Sequence, residues 1–251
     1  MIAHRLVSAG QLVVVQLDAG QAVWCQPGRF VWKTPNVAVQ ARLIGPRGET
    51  GGLLDRTFAT AITAGRRRLA GRDAALPYFS AGASSGLVAF AGEPAGEVRE
   101  LRLETGSGWL VTRAALVAAE AGVGLGPGPA AAAGSRRRDG AQAALERLAG
   151  TGSAFVTGTG GLVELDLDRY GGAVDVDPGR LVAVQESVQM QVPRQRTLGG
   201  DELLAVLLGG GRPSLATLTG SGSALLQAAA VPQPPAKPPT HKQGDSDGIP
   251  G

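Results

Sequence analysis

Few residues of this chain have the type and spacing to do chemistry. Gly82-Ala-Ser84-Ser-Gly86 matches the Gly-x-Ser-x-Gly spacing of a nucleophile elbow. That motif works where a strand turns sharply into a helix and lifts the serine hydroxyl toward a histidine. Here Leu87-Val-Ala-Phe90 follows and reads as a strand, and the two histidines, His4 and His241, lie near opposite ends of the chain. Ser84 is therefore expected in a β-turn, without a base to activate it. Cys25 is the one cysteine, which excludes an intrachain disulfide and a multi-cysteine metal site. It falls in an apolar strand pattern with no adjacent His or Lys, so its thiol is expected to stay protonated.

Asp166, Asp168, Asp175 and Asp177 offer carboxylates to a hard cation, but calcium sites of this density use a glycine-centred ligand loop, which is missing. They read as turn and strand-face aspartates. No Gly-Lys-Ser/Thr is present, which excludes a P-loop, and no crossover helix follows the glycines at 122–126 or 158–161. The expectation is a protein that is not an enzyme, with no catalytic residue, metal ligand or cofactor.

Two charge runs stand out, Arg66, Arg67, Arg68 and Arg136, Arg137, Arg138. Each lies in a loop-like insertion and is a candidate contact for an anion, a nucleic acid, an anionic membrane surface or an acidic protein partner. Three arginines are fewer than the clusters that usually mark such ligands, so solvated loop charge is the simpler reading. The net charge of +3, with lysine confined to Lys33, Lys237 and Lys242, is not the footprint of a dedicated nucleic-acid binder. The start lacks the apolar stretch of a secretory leader, and a soluble, cytoplasmic protein is expected.

The elements that would position these residues read as strands. Val13, Val15 and Leu17 alternate with Val14 and Gln16; Val37, Val39, Ala41 and Leu43 alternate with polar or small residues; so do Val188, Met190 and Val192. Period-two alternation puts one side on a core and the other toward water. Ala141, Ala144, Leu145 and Leu148 have helical spacing, but the repeat described next favours a strand there. Gly122–Gly134 reads as a loop. Trp24, Trp32 and Trp109 are expected to pack in the core or between modules.

Two patterns repeat three times. The first is strand, acidic turn, strand, turn, strand: 13–31, 98–118 and 162–182, with Pro-Gly-Arg at 27–29 and 178–180 and Arg113-Ala-Ala in the middle copy. The second joins two short apolar strands by a Gly-rich turn: Phe79 to Phe90, Leu148 to Phe155 and Leu218 to Leu225. The fold class expected is all-β: three similar β-sandwich or double-stranded β-helix-like modules packed with pseudo-threefold symmetry. They span roughly 1–90, 91–157 and 158–231 in one triplicated domain, 1–231, with a disordered Pro-rich tail at 232–251.

Leu-Asp-Ala-Gly20, Gly51-Gly-Leu, Val88-Ala-Phe-Ala91, Leu181-Val-Ala-Val-Gln-Glu-Ser-Val188 and Leu215-Ala-Thr-Leu-Thr-Gly-Ser-Gly222 resemble, in order and spacing, the altered-inheritance-of-mitochondria family of uncharacterised proteins. The resemblance covers roughly residues 7–228. It implies three β modules related to the module of the trp RNA-binding attenuation protein, and it implies no catalytic residues. The chain departs from the family pattern at 199–211 and at 134–140, where glycine loops with aromatics give way to Gly199-Gly-Asp-Glu and Gly134-Ser-Arg-Arg-Arg. A non-enzymatic scaffold or interaction protein is expected. A ligand- or nucleic-acid-binding module using the Arg loops is the alternative.

Overall fold

A computed structural model describes residues 2–7, 10–45, 75–128, 145–191 and 215–229. Nineteen strands account for nearly two thirds of it, with three short 3-10 turns and no α-helix among the described residues. No helix there is long and apolar enough to cross a membrane. Arg66–Arg68, Arg136–Arg138, His241 and the tail 232–251 lie outside the described residues.

In chain order the strands are β1 (Ala3–Val7), β2 (Leu12–Leu17), β3 (Ala22–Cys25), β4 (Phe30–Lys33), β5 (Val37–Arg42), β6 (Leu76–Ala81) and β7 (Gly86–Ala91). Then come β8 (Gly96–Leu103), β9 (Gly108–Thr112), β10 (Leu116–Glu120), β11 (Val123–Pro127), β12 (Leu145–Gly150) and β13 (Gly152–Thr159). The last are β14 (Leu162–Asp166), β15 (Ala173–Val176), β16 (Leu181–Gln185), β17 (Gln189–Gln191), β18 (Ala216–Thr219) and β19 (Ser223–Gln227). All pairings are antiparallel.

The strands form four sheets, ordered β1-β2-β7-β4, β5-β6-β3-β10-β13-β8, β11-β12-β9-β16-β19-β14 and β15-β18-β17. The two six-stranded sheets are assembled alike. Each joins a three-stranded half from one stretch of chain to a three-stranded half from the next, through β3·β10 in one and β9·β16 in the other. β4, β10 and β16 each carry an irregularity at the same place against their partners β7, β13 and β19: between Phe30 and Trp32, Leu116 and Ala118, and Leu181 and Ala183. A bulge adds one unpaired residue and sharpens the local twist, so it fixes which residues correspond.

Aromatics are few in the core, but they are its largest fully buried side chains. Trp24, Leu101, Leu116, Leu148, Val156, Val182 and Leu225 belong to one buried cluster that draws on strands from the whole length of the chain. Phe79, Phe90 and Phe155 anchor a second, and Leu167, Leu181 and Leu218 a third.

Two readings are corrected. Gly122–Gly134 is not all loop, because Val123–Pro127 forms β11, paired along β12. Its alternation of Val123 and Leu125 with glycines is a strand pattern hidden by residues of low β-propensity. Trp32 is not packed in a core: it is 38% exposed, whereas Trp24 is fully buried and donates its indole N–H to the Val123 carbonyl at 2.9 Å. The segment from Leu145 is strand, not helix.

Candidate interaction edge

Phe30-Val-Trp-Lys33 has the sequence of an inner strand, three apolar residues of high β-propensity in a row. Its counterparts at the same bulge, Leu116–Glu120 and Leu181–Gln185, are buried along nearly their whole length between two neighbouring strands. Among the described residues β4 has one neighbour, β7, and ends its sheet. Phe30, Val31 and Trp32 are therefore 44%, 47% and 38% exposed, although Phe30 still stacks on Phe79 with ring centroids 5.1 Å apart. Such an edge presents unpaired backbone groups beside apolar side chains, a template for strand addition.

The turn into β4 is rigid. Gly28 takes φ +87°, a left-handed value that favours glycine, within Pro27-Gly-Arg29. The Arg29 guanidinium donates to Glu93 Oε1 at 2.5 Å and to the Ala114 carbonyl at 2.6 Å. A cavity of about 360 Å³ opens between this turn and Arg113-Ala114. Both arginines that line it are already paired, Arg29 with Glu93 and Arg113, through Nε at 2.8 Å and Nη2 at 2.5 Å, with Glu146 Oε1.

The remaining chemical candidates are held by local partners. Ser84 lies in the β6–β7 turn, where its Oγ accepts from Asn36 Nδ2 at 3.1 Å. His4 sits on β1, opposite Val15, with its ring edge-on to Phe155 and Nε2 3.7 Å from Glu100. Strand spacing and rise separate His4 from Ser84 by on the order of 15 Å. Asp166 accepts from Asp168 N at 3.2 Å, and Asp177 from Gly179 N at 2.8 Å, each tightening its own turn. Asp168 accepts from Ser221 Oγ, and Asp175 from Thr217 Oγ1. Among the described residues no group of three His, Cys, Asp or Glu is placed to hold a metal.

Cys25 is fully buried, and burial pushes its thiol up to about 12, with Arg29 pulling weakly the other way. A thiol in that range is almost wholly protonated at neutral pH and a poor nucleophile. Iodoacetamide at pH 8 is expected to leave the native protein unlabelled and to label Cys25 fully once guanidinium unfolds it. Labelling at equal rates in both states would refute the burial.

Sequence reasoning placed a strand here but missed that it is an exposed edge, because alternation reports that a segment is a strand, not whether a second strand flanks it. One signal was present. Lys33 and Pro35 stand where the corresponding strands carry Ala119 and Ala121, or Val184 and Glu186.

The sequence profile described as mitochondrial biogenesis AIM24 matches residues 5–229. No curated protein matches the chain. Among solved structures, the X-ray crystal structure of protein SPYM3_0169 from Streptococcus pyogenes superposes with a TM-score of 0.62 at 18% identity, covering 92% of this chain and 94% of that one. At that identity the likeness is one of fold.

Proposed function

The chain belongs to the mitochondrial biogenesis AIM24 family, and from that premise we propose that it is a non-enzymatic interaction scaffold that engages protein by strand addition at β4. One observation carries the reading. β4 is exposed where the two strands that share its bulge are buried by a second neighbour. The chemistry of the described residues supports it, since Ser84 and Cys25, the two candidate nucleophiles, lack an activating base.

The second reading is an anion-binding surface made by the Arg runs. It is favoured by the placement of their roots. Leu125 N, three residues before the end of the described stretch 75–128, donates to the carbonyl of Gly45 at 3.0 Å, and Gly45 is the last described residue before the segment that holds Arg66–Arg68.

A photo-crosslinking residue in place of Val31, in living cells, tests the proposal. Crosslinks to protein are expected, well above those from the same residue in place of Leu6, which is equally exposed at 44%. Crosslinking no greater than at Leu6 would sink the scaffold reading. Salt-dependent retention of RNA, abolished by replacing Arg66–Arg68 and Arg136–Arg138, would put the second reading in its place.

A further inference from the structure

β2, β8 and β14 hold corresponding places beside β7, β13 and β19. Among the described residues β8 and β14 end their sheets. Each carries its own guards: Glu97, Arg99, Glu100 and Arg102 on β8, Glu164 and Asp166 on β14. Charge along an edge discourages strand addition. β2, Leu12-Val-Val-Val-Gln-Leu17, has no charged residue, and β1 lies along its edge instead.

β1 keeps that place with few contacts. His4 lies opposite Val15 and Leu6 opposite Val13, so both are on the side of β1 that faces the core. No residue of β1 itself is buried, and Leu6 is 44% exposed. The apolar anchor is Ile2, just before the strand, which packs in the cluster of Val13, Phe90 and Phe155. β2 is held independently of β1. It pairs along its whole length with β7, and Val13, Val15 and Leu17 are fully buried. β1 can therefore leave without carrying β2 with it. Gly10, at φ +84°, lies in the turn between them, and its carbonyl accepts from Val98 N at 2.7 Å, which pins the turn to β8.

We propose that β1 is a displaceable strap: an autoinhibitory strand that occupies a second acceptor edge, β2, and yields it to an extended segment of a protein partner. This goes beyond the reading of β4, which lies at the other end of the same sheet.

The contacts of β1 define the chemistry of that segment. Ile2 N donates to Glu120 Oε1 at 3.0 Å, an oxygen that also accepts from Ser153 N at 2.9 Å. Two residues on, the His4 ring stands edge-on to Phe155 at 4.9 Å, with Nε2 3.7 Å from Glu100 Oε2. Glu100 also accepts from Ser153 Oγ at 2.6 Å and from Arg102 Nε at 3.4 Å. A base at the place of His4 meets a carboxylate of opposite sign, and an acid there is repelled. The incoming segment is thus extended, with an aliphatic residue followed two positions later by a basic one. A strap on the same chain competes at an effective concentration of about millimolar, so it turns away segments that match the edge less well than it does.

Hydrogen exchange on the full chain reads the strap directly. Amides shared between β1 and β2 should lose protection as one unit, about tenfold or more faster than those shared between β2 and β7. Equal protection of the two ladders would mean that β1 opens only with the whole fold, and would overturn the proposal. Protection of β1 that falls on dilution would mean that a second copy donates it, and would overturn the proposal too. The acceptor edge is probed with an acetylated, labelled peptide of residues 2–9. It should bind the full-length Ile2→Ser variant about tenfold or more tightly than the unaltered chain, because a loosened strap competes less. The same peptide carrying His4→Glu should bind that variant about tenfold less tightly. Circular dichroism checks that the variant is folded, and His4→Glu in the chain itself is a second loosened strap. A peptide that binds neither chain, binds both equally or tolerates His4→Glu would refute the proposal.

Discussion

Gly150→Ala is expected to cost the fold about 3 kcal/mol or more, and to lower the melting temperature by roughly 6–12 °C for a chain of this size. Gly150 closes β12 at φ +119°, a region L-residues rarely enter. A Cβ there would also fall inside the contact radius of the Gly122 carbonyl oxygen, on backbone that cannot swing aside. Strain and collision add. Gly20→Ala is the control: φ is +79° and nothing lies within 4 Å of the added carbon, so a loss of about 1 kcal/mol is expected. Thermal melts of both variants decide the matter, and equal shifts would show that the close approach at Gly150 does not matter.

The second large effect concerns Arg113. Glu146 is 8% exposed on β12, and its Oε2 has no hydrogen-bond partner among the described residues. The Arg113 guanidinium on Oε1 is the counter-charge that makes burial tolerable. Removing one partner of a buried pair leaves an uncompensated charge, whereas removing both can be neutral. Arg113 itself is 61% exposed, so solvent screens part of the pairing. Arg113→Ala is expected to lose about 2 kcal/mol in urea unfolding, at the low side for buried pairs. Glu146→Leu in the same chain should return most of it. A double variant as unstable as Arg113→Ala would mean that lost packing of the arginine stem, not the orphaned carboxylate, sets the cost.

Much of this architecture was legible because the repeats carry backbone requirements. Gly-Thr-Gly at 150–152 and Gly-Ser-Gly at 220–222 looked alike in sequence. Their outer glycines have φ +119° and +133° in one copy and +117° and +134° in the other. The segments read as recurring strands, Val13 to Val31, Val98 to Ala118 and Leu162 to Val182, hold β2–β4, β8–β10 and β14–β16. The absence of Pro-Gly-Arg from the middle copy also has a physical reason: Arg113 takes the proline's place and serves Glu146. What remained hidden depends on neighbours far away in sequence. Within Phe30-Val-Trp-Lys33 only Lys33 marks the second flank as open, since flanking is a property of sheet order and not of the strand. β11 was missed for the opposite reason, a strand written with two glycines whose pairing to β12 overrides propensity.

The way each half-sheet waits for the following stretch of chain has a consequence for biosynthesis. Cys25 meets Ala118, and Val111 meets Ala183, so both junctions join strands distant along the chain. At ~5–20 residues per second, the ribosome delivers the ~90 residues between β3 and β10 over roughly 5–20 s. Throughout that interval the nascent β3 is a bare, wholly apolar strand edge. Vectorial synthesis thus exposes a strand edge transiently and twice, as the finished protein does lastingly at β4. Polysomes making this protein hold several such edges side by side, so pairing between nascent neighbours is a hazard of its production that grows with slow decoding of residues 26–115.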